Sequence, residues 1–197
     1  MITEVIGLPG SGKSSLLKIG KFHKMVVEDN HNYKITYILL WVKLSINYFN
    51  LCLKLPKNSF LLALKVWFKI PYRVIKNENE SFIDAGIVNV FTTTYCLAFY
   101  LKNKKPEISL STHLAKYKNK ISFILIYVDH YVALDRSRNR ERGLPKRINL
   151  ICKNERLLRY FFKFMSNTFI SLEDSFCKEG IQFRKFKNNE NFVSKQN

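Results

Sequence analysis

Runs of apolar residues, separated by polar segments, predict five β-strands along this chain. The clearest run covers residues 121–128, where only Ser122 is neither apolar nor aromatic. A continuous apolar run of this length is typical of a central parallel strand that is covered on both faces. Shorter runs predict strands at 2–6, 24–27 and 81–84, and the alternating residues 180–186 predict a last strand.

The segments between these strands carry the periodicity and the breaking residues of helices. Pro56 and Pro71 divide the segment from Tyr33 to Ile75 into two or three helices. Strands that alternate with helices favour an α/β fold with a central parallel sheet flanked by helices. We expect one domain over residues 1–190, a chain that is polar and frayed from Lys187 onward, and a tail at 191–197. The predicted helices cover 14–22, 33–75, 87–102, 131–142 and 149–169.

The chain is strongly basic, with 33 Lys and Arg against 15 Asp and Glu and a net charge of +18. Such a surface attracts phosphates, nucleic acid or anionic lipid, although heavy use of Lys, Asn, Ile and Phe throughout explains the charge equally well. Residues 1–6 lack the features of a signal peptide, and four scattered cysteines fit a reducing cytoplasm. The longest uncharged stretch between Tyr33 and Ile75, Leu44 to Leu53, is far shorter than the ~20 residues of a membrane span. We therefore expect a cytoplasmic protein.

Residues 7–14 read GLPGSGKS and match the phosphate-binding pattern G-x-x-x-x-G-K-[ST]. The pattern lies between a predicted strand and a predicted helix, so backbone N–H groups of the loop and of the helix start can surround nucleotide phosphates. Lys13 then reaches the β- and γ-phosphates, and the Ser14 hydroxyl ligates Mg²⁺. A chance glycine-rich turn is the alternative. The residues expected to bind ATP are Gly7, Leu8, Pro9, Gly10, Ser11, Gly12, Lys13, Ser14 and Ser15.

Acidic residues follow three of the predicted strands, at Glu28, Asp84 and Asp129. Ligands of α/β proteins bind at the carboxyl ends of the strands, where these residues converge with the glycine-rich loop. Asp84 is a candidate catalytic base or a ligand of Mg²⁺ through water, or else it caps the helix that starts near Ile87. Glu28 and Asp29 are alternative bases near the acceptor, or turn residues, and Asp129 is expected to cap the helix after it.

Three blocks of the sequence resemble nucleoside and nucleotide kinases, thymidylate kinases in particular. They are the loop with its strand (6–14), the Asp-ending strand (81–84), and residues 128–140, which resemble the V-D-x-x-x-A-L-x-R-x-x-x-R stretch that opens an arginine lid. The GTPase motif N/T-K-x-D and the LSGGQ-type signature of transporter ATPases are absent from the sequence. The resemblance implies a P-loop NTPase fold with ATP and Mg²⁺, a helical insertion at 31–76 over the acceptor, and an arginine lid at 130–147.

Two departures from thymidylate kinases concern the acceptor. Ala85 and Gly86 follow Asp84 where those kinases place an arginine, and no proline follows Glu28. The third predicted strand with the pattern Ile-Asp-x-Gly also resembles phosphate-loop kinases of cell-surface polysaccharide pathways. The sequence therefore leaves the phosphoryl acceptor open.

Arginines alternate with other residues along 136–142. On one helix Arg136 and Arg140, four residues apart, share a face, and we expect them to neutralise charge on the transferred phosphoryl group. In the alternative, this is a solvated helix whose arginines pair with Glu141 and Glu155. Arg73 is a weaker candidate for binding an anion of the acceptor.

The segment from Tyr33 to Ile75 combines Trp41, Trp67 and many other aromatic residues with regularly spaced lysines. One hypothesis is an apolar wall for a lipid-linked or sugar-bearing acceptor. A second is a helical hairpin in peripheral contact with an anionic membrane. A third is a plain helical core packed on the sheet.

The sequence predicts a kinase that binds ATP and transfers its γ-phosphoryl group to a hydroxyl or phosphate of a small-molecule acceptor. One alternative is a switch or scaffold that binds or hydrolyses a nucleoside triphosphate without a small acceptor. Another is a polynucleotide kinase, which would use the basic surface, although nucleic acid is the less favoured partner.

Overall fold

The computed structural model describes residues 2–18, 31–76, 82–84, 86–100, 110–140, 143–152 and 154–188. Within them lie four strands: β1 (Ile2–Ile6), β2 (Phe82–Asp84), β3 (Ile121–Tyr127) and β4 (Phe183–Lys187). They form one sheet in the order β2-β1-β3-β4, and each pair of neighbours is parallel. The predicted α/β fold with a parallel sheet flanked by helices is confirmed, while the strand predicted at 24–27 lies outside the described residues.

The two inner strands, β1 and β3, have the most continuous apolar sequence. Every residue of β1 is buried, and so are six of the seven residues of β3. The two strands pair over all five residues of β1. At the edge of the sheet β4 keeps Arg184, Lys185 and Lys187 exposed. The apolar pattern thus identifies the two inner strands, one of which, β1, leads into the glycine-rich loop.

Eight helices flank this sheet in the described part of the chain. The helices predicted at 14–22 and 87–102 are confirmed over the residues that the structure describes, and the helix at Leu110–Ala115 was not predicted. The helices are α1 (Lys13–Lys18), α2 (His31–Cys52), α3 (Lys57–Lys76), α4 (Ile87–Tyr100), α5 (Leu110–Ala115), α6 (His130–Arg138), α7 (Lys146–Ile151) and α8 (Glu155–Lys178).

The helices α2 and α3 form a pair separated at Pro56, as predicted, but the predicted division at Pro71 is wrong. Pro71 lies inside α3. A proline within a helix leaves the carbonyl four residues earlier without its helical donor, and that carbonyl belongs to Trp67. The indole Nε1 of Trp41 donates to the Trp67 carbonyl at 3.1 Å. A bond from the neighbouring helix thus replaces the lost one, and α3 continues.

The predicted helix at 149–169 is wrong as a single element, because α7 and α8 replace it. Asn154 has extended backbone (φ −131°, ψ 162°), and its side chain accepts a hydrogen bond from the Leu157 N–H at 2.8 Å. This cap starts α8, and Gly180 (φ 69°) follows its end. The last strand therefore begins at Phe183 and not at residue 180.

The helix α4 lies at the centre of the helical packing. It contacts β1, α2, α3 and α8, and residues 92–98 are all buried. The aromatic face of α8, which includes Phe161, Phe162 and Phe169, packs into the same core. Helices surround α4 on several sides, so its N-terminus is held firmly next to β1.

Candidate functional site

The glycine-rich loop at residues 7–12 joins β1 to α1 at the carboxyl edge of the parallel sheet. Gly7, Gly10 and Gly12 have φ angles of 143°, 85° and 88°, which residues with a side chain rarely adopt. Within the turn the Ser11 N–H donates to the Leu8 carbonyl at 3.2 Å. The structure thus has the strand, loop and helix that the sequence predicts around the motif.

These glycines also allow the loop to lie against distant parts of the chain. A Cβ atom on any of them would overlap protein atoms, so the lack of a side chain serves packing as well as the predicted approach of phosphates. Because the overlapping atoms belong to β3, to α6 and to the residue after β4, three elements fix the loop's position. The overlapping atoms are Ile126 O, 2.6 Å from the Cβ position of Gly7, Ala133 O next to that of Gly10, and Asn188 Nδ2, 2.5 Å from that of Gly12.

Asn188, directly after β4, is buried and supports the loop from behind. Its Nδ2 donates to the Ser11 carbonyl at 2.8 Å, and its backbone N–H donates to the Tyr127 carbonyl at 2.8 Å. The prediction that the chain is frayed from Lys187 onward is wrong for Lys187 and Asn188, because strand pairing and these bonds hold them. The predicted tail at 191–197 lies outside the described residues.

Two buried oxygens near the loop have no hydrogen-bond partner among the residues that the structure describes: Ser137 Oγ and Asn188 Oδ1. Ser137 lies on α6, and its Oγ is 2.7 Å from the Cβ position of Gly10. Buried polar atoms in proteins nearly always have a protein, water or ligand partner. The back of the loop therefore retains hydrogen-bonding capacity.

Lys13, the first residue of α1, is 9 % exposed and lies across the loop. Its ammonium Nζ donates to the Gly7 carbonyl at 2.8 Å and to the Leu8 carbonyl at 2.7 Å. The Ser14 and Ser15 side chains next to it are exposed. A lysine held in this way places positive charge inside the turn of the loop, with two accessible hydroxyls beside it.

A buried carboxylate, not identified from the sequence, connects β1 to the start of α4. Glu4 is fully buried, and its two carboxylate oxygens accept hydrogen bonds from the Val88 N–H at 3.0 Å and from the Asn89 N–H at 2.7 Å. The Asn89 side-chain oxygen in turn accepts from the Gly7 N–H at 3.2 Å. A negative charge at a helix N-terminus is favourable, and here it fixes α4 against the first residue of the loop.

Tyr37 of α2 completes this arrangement. Its hydroxyl donates to Glu4 at 2.9 Å and accepts from the Ile87 N–H at 2.8 Å. Burial, together with the nearby Glu4 carboxylate, raises the pKa of Tyr37 well above its usual value. Gly86 is required beside it, because a Cβ there would overlap the Tyr37 hydroxyl and the Glu4 carboxylate. The sequence signal for this cluster was a charged residue, Glu4, within a run of uncharged strand residues.

The acidic residues predicted at strand ends have different outcomes. Asp129 caps α6, since its carboxylate accepts from the Tyr131 N–H at 2.8 Å, as predicted. The backbone of Asp84 pairs with Val5 of β1, which places it beside the loop at the carboxyl edge. Glu28 and the side chain of Asp84 lie outside the described part of the structure, and their roles stay predictions.

The predicted arrangement of the arginines needs a correction. The helix predicted at 131–142 ends at Arg138, so Arg136 and Arg140 do not share a helical face. Arg136 is half-buried on α6, whereas Arg140 is exposed beyond its end. Arg138 pairs with Glu155, as the alternative of a solvated face predicts for this residue.

The other candidate ligands are more dispersed. Arg73 is half-buried on α3, and its proposed contact with an acceptor stays a prediction. Among the described residues, no group of three or more His, Cys, Asp or Glu side chains is arranged to hold a metal ion. The predicted magnesium site at Ser14 and Asp84 is of a different kind, with one hydroxyl and one carboxylate.

The fold and site together define an α/β protein with a parallel sheet and a lysine-containing glycine loop at its carboxyl edge. Comparison with known protein families, with curated proteins and with solved structures finds no match for this chain. Its function is therefore inferred from the site.

Proposed function

We propose that this protein binds a nucleoside triphosphate with Mg²⁺ at residues 7–15 and transfers the γ-phosphoryl group to a small-molecule acceptor. The observation that carries the proposal is Lys13. Its ammonium lies 2.7–2.8 Å from two carbonyls of the loop that follows β1, an inner strand of the parallel sheet. Ligands of such sheets bind at this edge, and a loop with a buried lysine suits a phosphate chain.

The neighbouring residues fit the two expected cofactors. Ser14 offers an exposed hydroxyl next to Lys13 for a magnesium ion that also binds the phosphates. Asp84 ends the strand beside β1, where a carboxylate suits a water ligand of that ion. In phosphoryl transfer the protein mainly positions the reactants and neutralises charge, and the Glu4–Asn89–Gly7 chain of hydrogen bonds is suited to positioning the loop.

The test of nucleotide binding is Lys13→Met, because methionine keeps an unbranched side chain that is one atom shorter and removes the charge. We expect Mg-ATP affinity, measured by calorimetry, to fall by roughly tenfold or more, since charge-assisted hydrogen bonds contribute about 1.5–3 kcal/mol. Lys118→Met, in an exposed turn, is the matched control and should bind like the wild type. Thermal unfolding of both variants separates lost binding from lost folding, because Lys13 also holds the loop. Unchanged affinity in a folded Lys13→Met protein would refute the assignment.

Transfer is tested separately from binding. We expect ADP formation to rise when a fraction of small metabolites is added, with label from γ-labelled ATP appearing in a metabolite. Label that appears only in inorganic phosphate would indicate a hydrolase. Label on an oligonucleotide with a 5′-hydroxyl would indicate a polynucleotide kinase.

A further inference from the structure

The outer side of α2 carries an exposed apolar stripe. Its members recur at alternating steps of four and three residues, the spacing that keeps side chains on one helix face. They lie opposite the face that packs into the core, which includes Tyr37, Leu44 and Tyr48. The stripe continues one residue past the helix end and is 45–73 % exposed at Ile35, Leu39, Val42, Ile46, Phe49 and Leu53.

A second stripe runs along α3, where Leu61, Phe68, Tyr72 and Ile75 are 60–64 % exposed. Phe68 meets the ring of Trp41 on α2 edge to face, with ring centroids 5.9 Å apart. Aromatic contact therefore links the two helices on their exposed side. Ten of the 14 exposed large apolar side chains among the described residues belong to residues 35–75, so this hairpin concentrates the apolar surface of the molecule.

Every charged residue (Lys, Arg, Asp or Glu) of the same segment is basic. Residues 31–76 contain seven lysines and one arginine, and no aspartate or glutamate. Lys65 falls within the spacing of the α3 stripe, and Lys57 and Lys69 are exposed on the same helix. On α2 Lys43 is exposed beside the stripe. Apolar side chains bordered by lysines, whose long stems reach outward from an apolar layer, are typical of helices that lie in a lipid interface.

We infer that the outer face of the α2–α3 hairpin docks on an anionic lipid surface. Charge decides between this occupant and a second copy of the chain. In a dimer formed through this face, two segments of charge +8 would oppose each other, and like charges at close range are unfavourable. Anionic headgroups neutralise the same lysines, each contributing about 1 kcal/mol near such a surface.

The helix lies on the lipid and does not cross it. Although the longest uncharged stretch of this segment is too short for a membrane span, residues 34–52 of α2, which include Lys34 and Lys43, are long and apolar enough to cross a membrane, with a mean hydropathy of 1.2. One third of that stretch is nevertheless buried inside the protein. The Tyr37 hydroxyl donates a hydrogen bond to Glu4, and the Tyr48 hydroxyl donates one to the Ala63 carbonyl at 3.0 Å. Insertion of the whole helix would break these bonds, so only its outer stripe is available to lipid.

The experiment is co-sedimentation of the full chain with vesicles, without nucleotide. We expect binding to vesicles of equimolar phosphatidylcholine and phosphatidylserine, weakened by added salt, and little binding to pure phosphatidylcholine. Ile46→Glu should lower the affinity roughly tenfold or more, because a buried large apolar side chain contributes about 1.5–3 kcal/mol. Ile46 is 73 % exposed, so the variant should keep the thermal unfolding temperature of the wild type.

Tyr160→Glu, which changes an exposed aromatic residue on α8, is the control for added negative charge. Lys65→Glu should weaken binding more than Lys118→Glu. Absence of binding to anionic vesicles at low salt would refute lipid docking. Equal losses of vesicle affinity in Tyr160→Glu and Ile46→Glu would refute it too, since the total charge alone would then explain binding. A wild-type dimer that Ile46→Glu converts to monomer would assign this face to a second copy.

Discussion

At the scale of single residues, the position of the loop depends on contacts with the chain's own backbone. Gly10 lies against the Ala133 carbonyl and Ser137 Oγ of α6. The residue combines a left-handed backbone (φ 85°) with a lack of space for a side chain. Gly143 offers a natural comparison, because its φ of 58° is also left-handed, but among the described residues no atom beyond its chain neighbours lies within 4 Å of its Cβ position.

We therefore expect Gly10→Ala to destabilise the protein more than Gly143→Ala. The left-handed backbone alone costs about 1–2 kcal/mol for an alanine, and Gly143→Ala should lose no more than this. Gly10→Ala should lose more and should also weaken Mg-ATP binding, because the loop must move away from α6. Urea unfolding and ATP titration of the two variants measure both effects. Equal losses of stability would show that the contact with α6 is not tight.

The sequence predicted the residues of the loop but not those that support it. The spacing from Gly7 to Ser14 is local, and a pattern can therefore recognise it. The partners of the loop are distant: Asn89 is 82 residues from Gly7, and Asn188 is 177 residues from Ser11. Only the pairing of parallel strands brings them together, and no periodicity in one sequence predicts which asparagine arrives there.

At the scale of elements, the end of α6 separates Arg136 from Arg140, which the sequence had predicted to share one helix face. Arg136 lies within the helix that contacts Gly10 through Ala133. Arg138 is engaged with Glu155, and Arg140 follows the helix. Its place on the helix that lies against the loop makes Arg136 the candidate for the proposed contact with phosphates.

If the protein transfers phosphoryl groups, Arg136→Ala should lower the turnover of ATP by roughly 10³-fold, as expected for an arginine that stabilises the transition state. ATP affinity should change much less. Arg138→Ala is the matched control and should keep a rate near the wild type, since exposed ion pairs contribute only about 0–1 kcal/mol. Steady-state kinetics of ATP turnover measure both. A wild-type rate for Arg136→Ala would show that this arginine does not take part in phosphoryl transfer.

Elements whose limits follow from local chemistry were predicted well, and those that depend on neighbours were not. The apolar runs predicted β1 and β3, and Pro56 predicted the boundary between α2 and α3. Pro71 was predicted as a break because the bond from Trp41, on another helix, is invisible in the local pattern. The cap at Asn154 did have a local signal, an asparagine before Glu155, which the wider apolar periodicity obscured.

At the scale of the whole molecule, buried protonated groups make the free energy of unfolding depend on pH in the alkaline range. Burial raises the pKa of Cys96 and of Cys152 to about 12, from the usual 9.0, and it also raises the pKa of Tyr37. The unfolded chain releases these protons at lower pH than the folded chain does. Stability is therefore complete below about pH 8 and falls as the pH rises toward 12.

We expect the free energy of unfolding to fall by roughly 1 kcal/mol for each of the Cys96 and Cys152 thiols between about pH 7.5 and about pH 9.5. Cys96→Ala removes one of these groups and should reduce the fall by that amount, whatever its effect at neutral pH. Cys177→Ala, which changes an exposed thiol, should leave the fall unchanged. Urea unfolding at the two pH values measures the difference. A fall that is the same in all three proteins would contradict the assignment.

The overall composition indicated a class of partner but not the surface that would bind it. The net charge of +18 indicated anionic partners without locating them. The three hypotheses for residues 33–75 were open because an amphipathic helix and a helix with two apolar faces have similar composition. The structure shows one face in the core and one exposed, which a single helix pattern cannot distinguish without its neighbours.

The bond between Asn188 and the Ser11 carbonyl has a consequence for synthesis. Translation makes the loop before β3, α6 and the residue after β4, which hold it in place. A nascent chain that has not yet released β4 from the ribosome lacks this last support. If the loop binds a nucleotide as proposed, it should reach its full affinity only after β4 and Asn188 have emerged, and it should not bind the nucleotide strongly while the chain is still being made.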